Sequence, residues 1–273
     1  MEKMDIINKR LKEDFDLLES RGYEVVGVFL QGSQNYNLDY EDSDIDTKAI
    51  VLPSFRDFLF GKKQISTTIE LEVTREHIDT KDIRIMFDNF KKQNINFVEI
   101  LFTEYKYMNP KYKELFQPMF DIRERIARYD RLRAIKAMYG MACEKKKALR
   151  HPYPTTMHKI EKFGYDPKQL HHIIRLADFQ DEYMYGYKYA DILKYNDTNV
   201  TYMIDVKKGR VYDEEGAVET ANKIVTLMKE SVEEFKNRYN NVIDVELDDI
   251  FEKVMTDIFS LRFREELGIK VEF

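Results

Sequence analysis

The chain opens on a helical stripe. Ile7, Leu11, Phe15 and Leu18 recur at three- and four-residue spacing, which predicts an N-terminal helix with one buried face, ended by Arg21-Gly22. The run YEVVGVFL (23–30) has the length and β-branched content of a buried strand. A polar stretch, QGSQNYNLDYEDSD, separates it from a second apolar strand, IDTKAIVLP (45–53); Pro53-Ser54 breaks that strand and opens a short helical piece, SFRDFLFG. From Gln64 the pattern alternates near period two through Ile65, Thr67, Ile69, Leu71 and Val73, predicting a strand pair or hairpin arm that runs toward EHIDT. Asp82 stands where an N-cap belongs, with Ile83, Met86, Phe87 and Phe90 forming a helical stripe behind it. The apolar stretch FVEILFTEY closes this region near Met108.

Beyond Pro110 helical spacing dominates. Ile122, Ile126, Tyr129 and Leu132 form one stripe, Leu170, Ile174 and Ala177 another, and two more helices are expected around 217–237 and 247–263. The loop HPYPTTMHKIEKFGYD separates the first two, and TYMIDVKKGR (201–210) reads as a short strand ending in a Lys-Gly turn. There is no internal repeat. The pattern predicts an α+β chain with a mixed sheet-and-helix region over residues 1–108 and a mostly helical region over 109–273.

A length of 273 residues suits one large domain or two packed ones. No apolar run approaches the ~20 residues that span a bilayer, and MEKMDIINKRLKEDFD offers no signal-peptide core, so a cytoplasmic protein without a membrane partner is expected. Cys143 is the single cysteine, which removes intramolecular disulfides and thiolate metal clusters; in ACEKKK it reads as a small buried helix residue. The net charge of -6 argues against a surface that binds nucleic acid everywhere. Cations nevertheless concentrate in RERIARYDRLRAIK and CEKKKALRHP, runs open to two readings, solvated helix faces or polyanion contacts.

The candidate chemistry lies in VFLQGSQNYNLDYEDSDIDTKAIV. A buried strand delivers Gly32-Ser33, ten residues intervene, and a second strand opens with Asp44-Ile45-Asp46. Glycine lets the backbone approach a phosphate closely, and serine adds a hydroxyl and an N–H that both donate to phosphate oxygens. On a strand Asp44 and Asp46 share one face, with Ile45 turned to the core. Two adjacent carboxylates repel, so the pair makes sense with a cation, and hard oxygen ligands select Mg²⁺ or Mn²⁺. A two-metal clamp with ions ~3.5–4 Å apart would polarise the attacking oxygen and the leaving pyrophosphate, and a third carboxylate from a neighbouring strand would activate the acceptor hydroxyl. The plainer reading is a solvated acidic turn in YEDSDID, with Asp42 and Ser43 as turn residues. The order strand, Gly-Ser, turn, Asp-x-Asp, strand favours the chemical one.

That pattern, G-S-x10-D-x-D between two strands, resembles the signature of the DNA polymerase β-like nucleotidyltransferase superfamily. More narrowly, DIRIMFDNFKKQNINFVEILF, YDPKQLHHIIRL and DVKKGRVYDEE resemble segments of its bacterial and phage branch of predicted nucleotidyltransferases, some associated with RNA repair. The resemblance runs from about Tyr23 to about Leu227; the departure at Asn94-Ile95, where a proline often follows the asparagine, touches only a turn. It implies a polymerase β-like catalytic domain, a mixed sheet flanked by helices, with a helical domain closing the cleft. Gly32 and Ser33 would contact the nucleotide phosphates, and Asp44 and Asp46 would bind metal. For the third carboxylate and metal ligand the chain offers Glu70, Glu72, Glu76, Asp79 and Asp82; Asp79, between Ile78 and Thr80 in a strand-like context, is the favoured one.

Lys168, His172 and Arg175 fall at i, i+4 and i+7 on one helix face, opposite Leu170, Ile174 and Ala177. By spacing alone they are a solvated basic face; the resemblance favours nucleotide phosphate binding, with Arg175 able to bind bidentately. His151, Tyr153 and His158 in the preceding loop, and the tyrosine-rich run DEYMYGYKYA, are open between substrate contact and packing. The expected reaction moves a nucleoside monophosphate from an NTP to an acceptor (an RNA or tRNA end, a protein hydroxyl or a small molecule), with pyrophosphate leaving. The alternative is a catalytically inactive nucleotide-binding or regulatory module of the same fold.

Overall fold

The computed structural model describes residues 3–41, 43–72, 74, 76–195 and 197–269, so Asp42 of the polar turn and Val73 of the alternating run lie outside the described residues. In chain order the elements are α1 (Lys3–Ser20), β1 (Glu24–Leu30), β2 (Thr47–Leu52), α2 (Phe55–Leu59), β3 (Ser66–Glu70), β4 (His77–Asp82), α3 (Ile83–Lys91), α4 (Ile95–Val98) and β5 (Lys106–Met108). Helices follow: α5 (Pro110–Asp121), α6 (Arg123–Ile126), α7 (Arg131–Ala148), α8 (Met157–Phe163), α9 (Pro167–Tyr185), α10 (Tyr189–Ile192), α11 (Asp197–Lys207), α12 (Glu214–Arg238) and α13 (Glu246–Glu266). The fold is α+β. Among the described residues no helix is long and apolar enough to cross a membrane.

The five strands form one mixed sheet in the order β3-β4-β2-β1-β5. β2 and β4 run parallel, while β1 pairs antiparallel with β2 and β5, and β3 with β4. One face of the sheet receives α1: Ile7, Leu11, Phe15 and Leu18 pack on Val25, Val28, Leu30, Ala49, Val51, Ile69 and Ile78. A register shift between Val25 and Gly27 lets Val25 and Val28, three apart, face the same core. Asp82 caps α3 as expected, its carboxylate accepting from Arg84 N–H at 2.9 Å.

Contacts divide the chain into two compact units, and the division differs from a single cut after Met108. The first unit holds residues up to Asn35, Ser43–Tyr129 and the chain from Asp244 on; the second holds Tyr36–Asp42 and Asp130–Ile243. Aromatic packing explains why α5 and α13 belong with the sheet. Phe116 and Phe120 of α5 lie against Phe29 of β1, and Phe251 of α13 lies against Phe87 and Phe90 of α3. In the second unit α7, α9, α11 and α12 pack together around buried Leu170, Ile173, Met203, Val225 and Met228.

Two local expectations are corrected. TYMIDVKKGR is helical through Lys207: Met203 and Val206, three apart, are both buried, a spacing that suits a helix and breaks strand alternation. The stripe Ile122–Ile126–Tyr129–Leu132 is not one helix. Asp130 is extended and caps α7 by accepting from Arg133 N–H, so a new helix starts there. The run DEYMYGYKYA is split by Gly186 at φ 87, leaving Tyr183 and Tyr189 buried and Tyr185 and Tyr187 exposed. Cys143 is half-buried on α7.

Candidate active site

Gly32 sits where β1 ends, at φ 83, a conformation that a side chain would strain. It turns the chain into a short 3₁₀ helix that begins at Ser33. The turn is tied to the Asp-x-Asp segment twice: Gln31 N–H donates to Asp46 C=O at 2.8 Å, and the Gln34 side-chain amide donates to Asp44 C=O at 3.3 Å. Asn35 fixes the other side, its amide donating to Leu30 C=O while its carbonyl oxygen accepts from the Thr103 hydroxyl. Gly32-Ser33 and Asp44-Asp46 therefore stand side by side at one end of the β1–β2 pair.

Regular pairing in β2 starts at Thr47, so Asp44 and Asp46 lie just ahead of the strand. Ile45 packs into the α1-facing core, whereas Asp44 is exposed and Asp46 half-exposed. Asp46 accepts from His77 N–H at 3.1 Å, and His77 Nδ1 lies 3.6 Å from the same oxygen. Along β2 the next residue on this face is Lys48, which pairs in register with Asp79 of β4. Asp79 thus faces the same side as the aspartate pair, but each of its oxygens meets an ammonium group, Lys48 at 2.5 Å and Lys81 at 2.8 Å. Burial alone would raise its pKa; Lys48 and Lys81 outweigh that and hold the carboxyl below its ordinary value.

The other candidate carboxylates fall elsewhere. Asp82 is fully buried as the α3 cap and pairs with Arg84. Glu70 lies opposite His77 on β3, and Glu72 is exposed in the turn after it. Glu76 reaches the opposite side of the sheet, accepting from Ile45 N–H at 2.7 Å and pairing with Arg10 of α1.

Arg10 opens a buried polar network that the sequence reading missed. It donates to Asp14 at 2.7 Å, and the other Asp14 oxygen accepts from the Thr47 hydroxyl at 2.6 Å. Burial pushes the Asp14 carboxyl up despite Arg10 and Thr47. Arg10, Asp14 and Thr47 are each under a tenth exposed. The network clamps both ends of Ile45-Asp46 from behind, Glu76 at Ile45 N–H and Asp14 at Thr47. A signal existed: Arg10 and Asp14 occupy the same helical face as Ile7, Leu11 and Phe15, where a solvated helix would place apolar residues.

Among the described residues no three His, Cys, Asp or Glu side chains converge closely enough to hold a metal ion. The donor chemistry of Asp44 and Asp46 still suits Mg²⁺ or Mn²⁺, because such ions commonly take one or two carboxylates and complete their shell with substrate phosphates and water. Asp79 as it stands is engaged by lysines and does not join them.

The second unit assembles a different charge pattern. Lys168, His172 and Arg175 of α9 come together with His171 and with Lys145 of α7, which the sequence reading did not single out. Arg175 is buried, its guanidinium 4.0 Å from the Tyr36 ring centroid, and its Nε has no hydrogen-bond partner. Burial and the charges of Lys168 and Arg175 lower the Lys145 pKa. Burial also drives His171 down to about 3, against a hydrogen bond to Met203 C=O at 3.0 Å. A carbonyl only accepts, so His171 Nδ1 carries a proton, and the lowered pKa leaves the ring neutral near pH 7. Burial, then Arg175, His171, Lys145 and Lys168, push His172 well below its ordinary value. None of Lys145, Lys168 and Arg175 makes an ion pair among the described residues. Such a cluster is matched to an anion with several negative oxygens.

No protein family matches the chain by profile, and no curated protein matches it. Among solved structures it is similar to a nucleotidyltransferase-like protein from Exiguobacterium sibiricum 255-15, at 11% identity and a TM-score of 0.31, over 95% of this chain and 91% of that one. A likeness that loose assigns no chemistry, which rests instead on the residues described above.

Proposed function

We propose that the chain is a nucleotidyltransferase that moves a nucleoside monophosphate from an NTP to a hydroxyl or phosphate acceptor. The observation that carries this reading is the double tie between the Gly32-Ser33 turn and Asp44-Asp46, which sets phosphate donors beside two carboxylates open to solvent. In it Ser33 and the turn's N–H groups hold phosphate oxygens, and Asp44 and Asp46 hold the divalent ion. That ion, when bound, neutralises charge developing on the transferred and leaving phosphates. Because such transfers need positioning and charge stabilisation more than covalent help, the network behind Ile45 and Thr47 fits the role of fixing the aspartates. Lys145, Lys168, His172 and Arg175 are suited to phosphate charge. Asp79 takes the part of third carboxylate, accepting the acceptor's proton, only if Lys48 and Lys81 release it. The acceptor class (RNA or tRNA end, protein or small molecule) and membership of the RNA-repair-associated branch belong to the same proposal.

The engagement of Asp79 by two lysines favours a second reading, a nucleotide-binding module without turnover. One experiment separates them: binding and pyrophosphate release with each NTP and Mg²⁺ or Mn²⁺, for the wild type and Asp44→Asn/Asp46→Asn. Loss of roughly a thousandfold or more in release, a few kcal/mol of barrier, with a folded double variant, supports transfer. Metal-dependent binding without release in the wild type supports the module. Binding by neither protein sinks both.

A further inference from the structure

A cavity of about 540 Å³ in the second unit is lined by His158, Lys159, Lys162, Phe163, Lys207, Lys208 and Arg210, with Pro167 and Gly209 between them. Among the described residues no acidic one lines it. In a chain of net charge -6 this collection is far from average composition. Some of it has a local purpose: Lys159 pairs with Asp166, Arg210 with Asp205, and Lys207 and Lys208 close the C-terminal end of α11, where cations are favoured. Those roles do not explain why α8 and the turn after α11 bring His158, Lys162 and Arg210 to the same cavity.

The turn is built to hold its place. Gly209 adopts φ +70, and a Cβ there would lie 2.7 Å from the Phe163 ring, so Lys207-Lys208-Gly209-Arg210 is pressed onto that aromatic face. The Tyr40 ring lies under the Lys207 and Lys208 ammonium groups at 4.9 and 4.5 Å. Cations supplied from α8 and from the end of α11 with its turn, with the Phe163 ring among them, match a string of phosphates better than one small anion. Grooves that track single-stranded nucleic acid combine these two features.

We propose that this cavity binds the phosphodiester backbone of a single-stranded nucleic acid. The cavity shares no lining residue with Asp44-Asp46 or with Lys145, Lys168, His172 and Arg175, and the proposal stands whether or not the chain transfers nucleotides.

The test is anisotropy of a short 5′-labelled RNA of mixed sequence with the full-length chain, between about 50 and 200 mM salt. The comparison protein is Lys162→Ala/Lys208→Ala/Arg210→Ala. Wild type should bind, and the variant should bind at least about tenfold more weakly at low salt. Its log–log salt slope should be shallower by about 2, the loss expected for three single-strand phosphate contacts. Lys162→Arg/Lys208→Arg should keep wild-type binding, which ties the effect to charge. Equal affinity and slope in wild type and triple variant would overturn the proposal, as would displacement of the RNA by inorganic tripolyphosphate at matched phosphate concentration, the mark of a small-anion site. The anisotropy is read without NTP or divalent ion, so it reports RNA binding apart from nucleotide transfer. Failure of nucleotide transfer and failure of this site are thereby told apart.

Discussion

The two units treat charge in opposite ways. At the sheet, buried or half-buried charges are answered by the protein itself: Arg10 by Asp14 and Glu76, Asp79 by Lys48 and Lys81, Asp82 by Arg84. Against this neutralised background Asp44 is exposed, and Asp46 is half-exposed with His77 as its neighbour. In the second unit Lys145, Lys168 and Arg175 share a neighbourhood, and both histidines beside them are kept neutral. Paired charges set geometry at some cost in desolvation, whereas massed cations store repulsion that a bound polyanion relieves. The first arrangement holds groups in place; the second, on the proposed reading, awaits a ligand.

The hardest way to break the contrast is to unpair the sheet's network. Arg10→Met leaves buried Asp14 and half-buried Glu76 without their cation. Removing one partner of a buried pair costs roughly 3–5 kcal/mol, and a urea melt should show a loss of that size. Metal-dependent NTP binding, measured below the melt, should weaken as well, because Glu76 no longer holds Ile45 N–H against a fixed partner. A melt unchanged within about 1 kcal/mol would mean the network is not what braces the aspartates.

Acid should act on the second unit instead. The ordinary histidine pKa is 6.5 and that of folded His171 is about 3. The folded state therefore favours the neutral ring, and the stability it contributes is present above the unfolded value and lost as pH falls from there toward 3. Between about pH 7 and pH 5 the loss from His171 is about 2 kcal/mol, and His172 moves in the same direction. Denaturant melts across that range should show the slope, and His171→Gln should flatten it. A wild-type melt flat from neutrality to pH 5 would rule out a buried neutral His171.

What was legible in the sequence follows the same division. Strands β1 and β2, α1 and the capped α3 could be read because period and turn chemistry agree with the packing there. The aspartate pair was readable because Ile45 between two carboxylates fixes which way each faces. The cut at Met108 was not: whether α5 and α13 cover the sheet depends on phenylalanines meeting across more than a hundred residues of sequence, Phe251 on Phe87 and Phe90. The Lys48–Asp79 pairing was equally hidden, since it needs the parallel register of β2 and β4. Arg10 and Asp14 interrupt the apolar stripe of α1, but their partners Glu76 and Thr47 lie on other segments that no helical period points to.

The smallest effect is the sharpest on the second unit. Lys145 is half-buried beside Lys168 and Arg175, so burial and like charge both oppose its ammonium. Replacing it with methionine keeps the aliphatic stem and removes the charge. Were the cluster merely structural, the change would be neutral in binding. If the cluster awaits polyphosphate, Lys145→Met should raise the melting free energy by about 0.5–1 kcal/mol, in the range of common stabilising substitutions. It should also weaken ATP or tripolyphosphate binding about tenfold, a cost near 1.4 kcal/mol. Opposite signs in the two measurements are the signature of strain kept for a ligand; a loss in both would recast Lys145 as an ordinary packing residue, and the contrast between the units would rest on Arg175 alone.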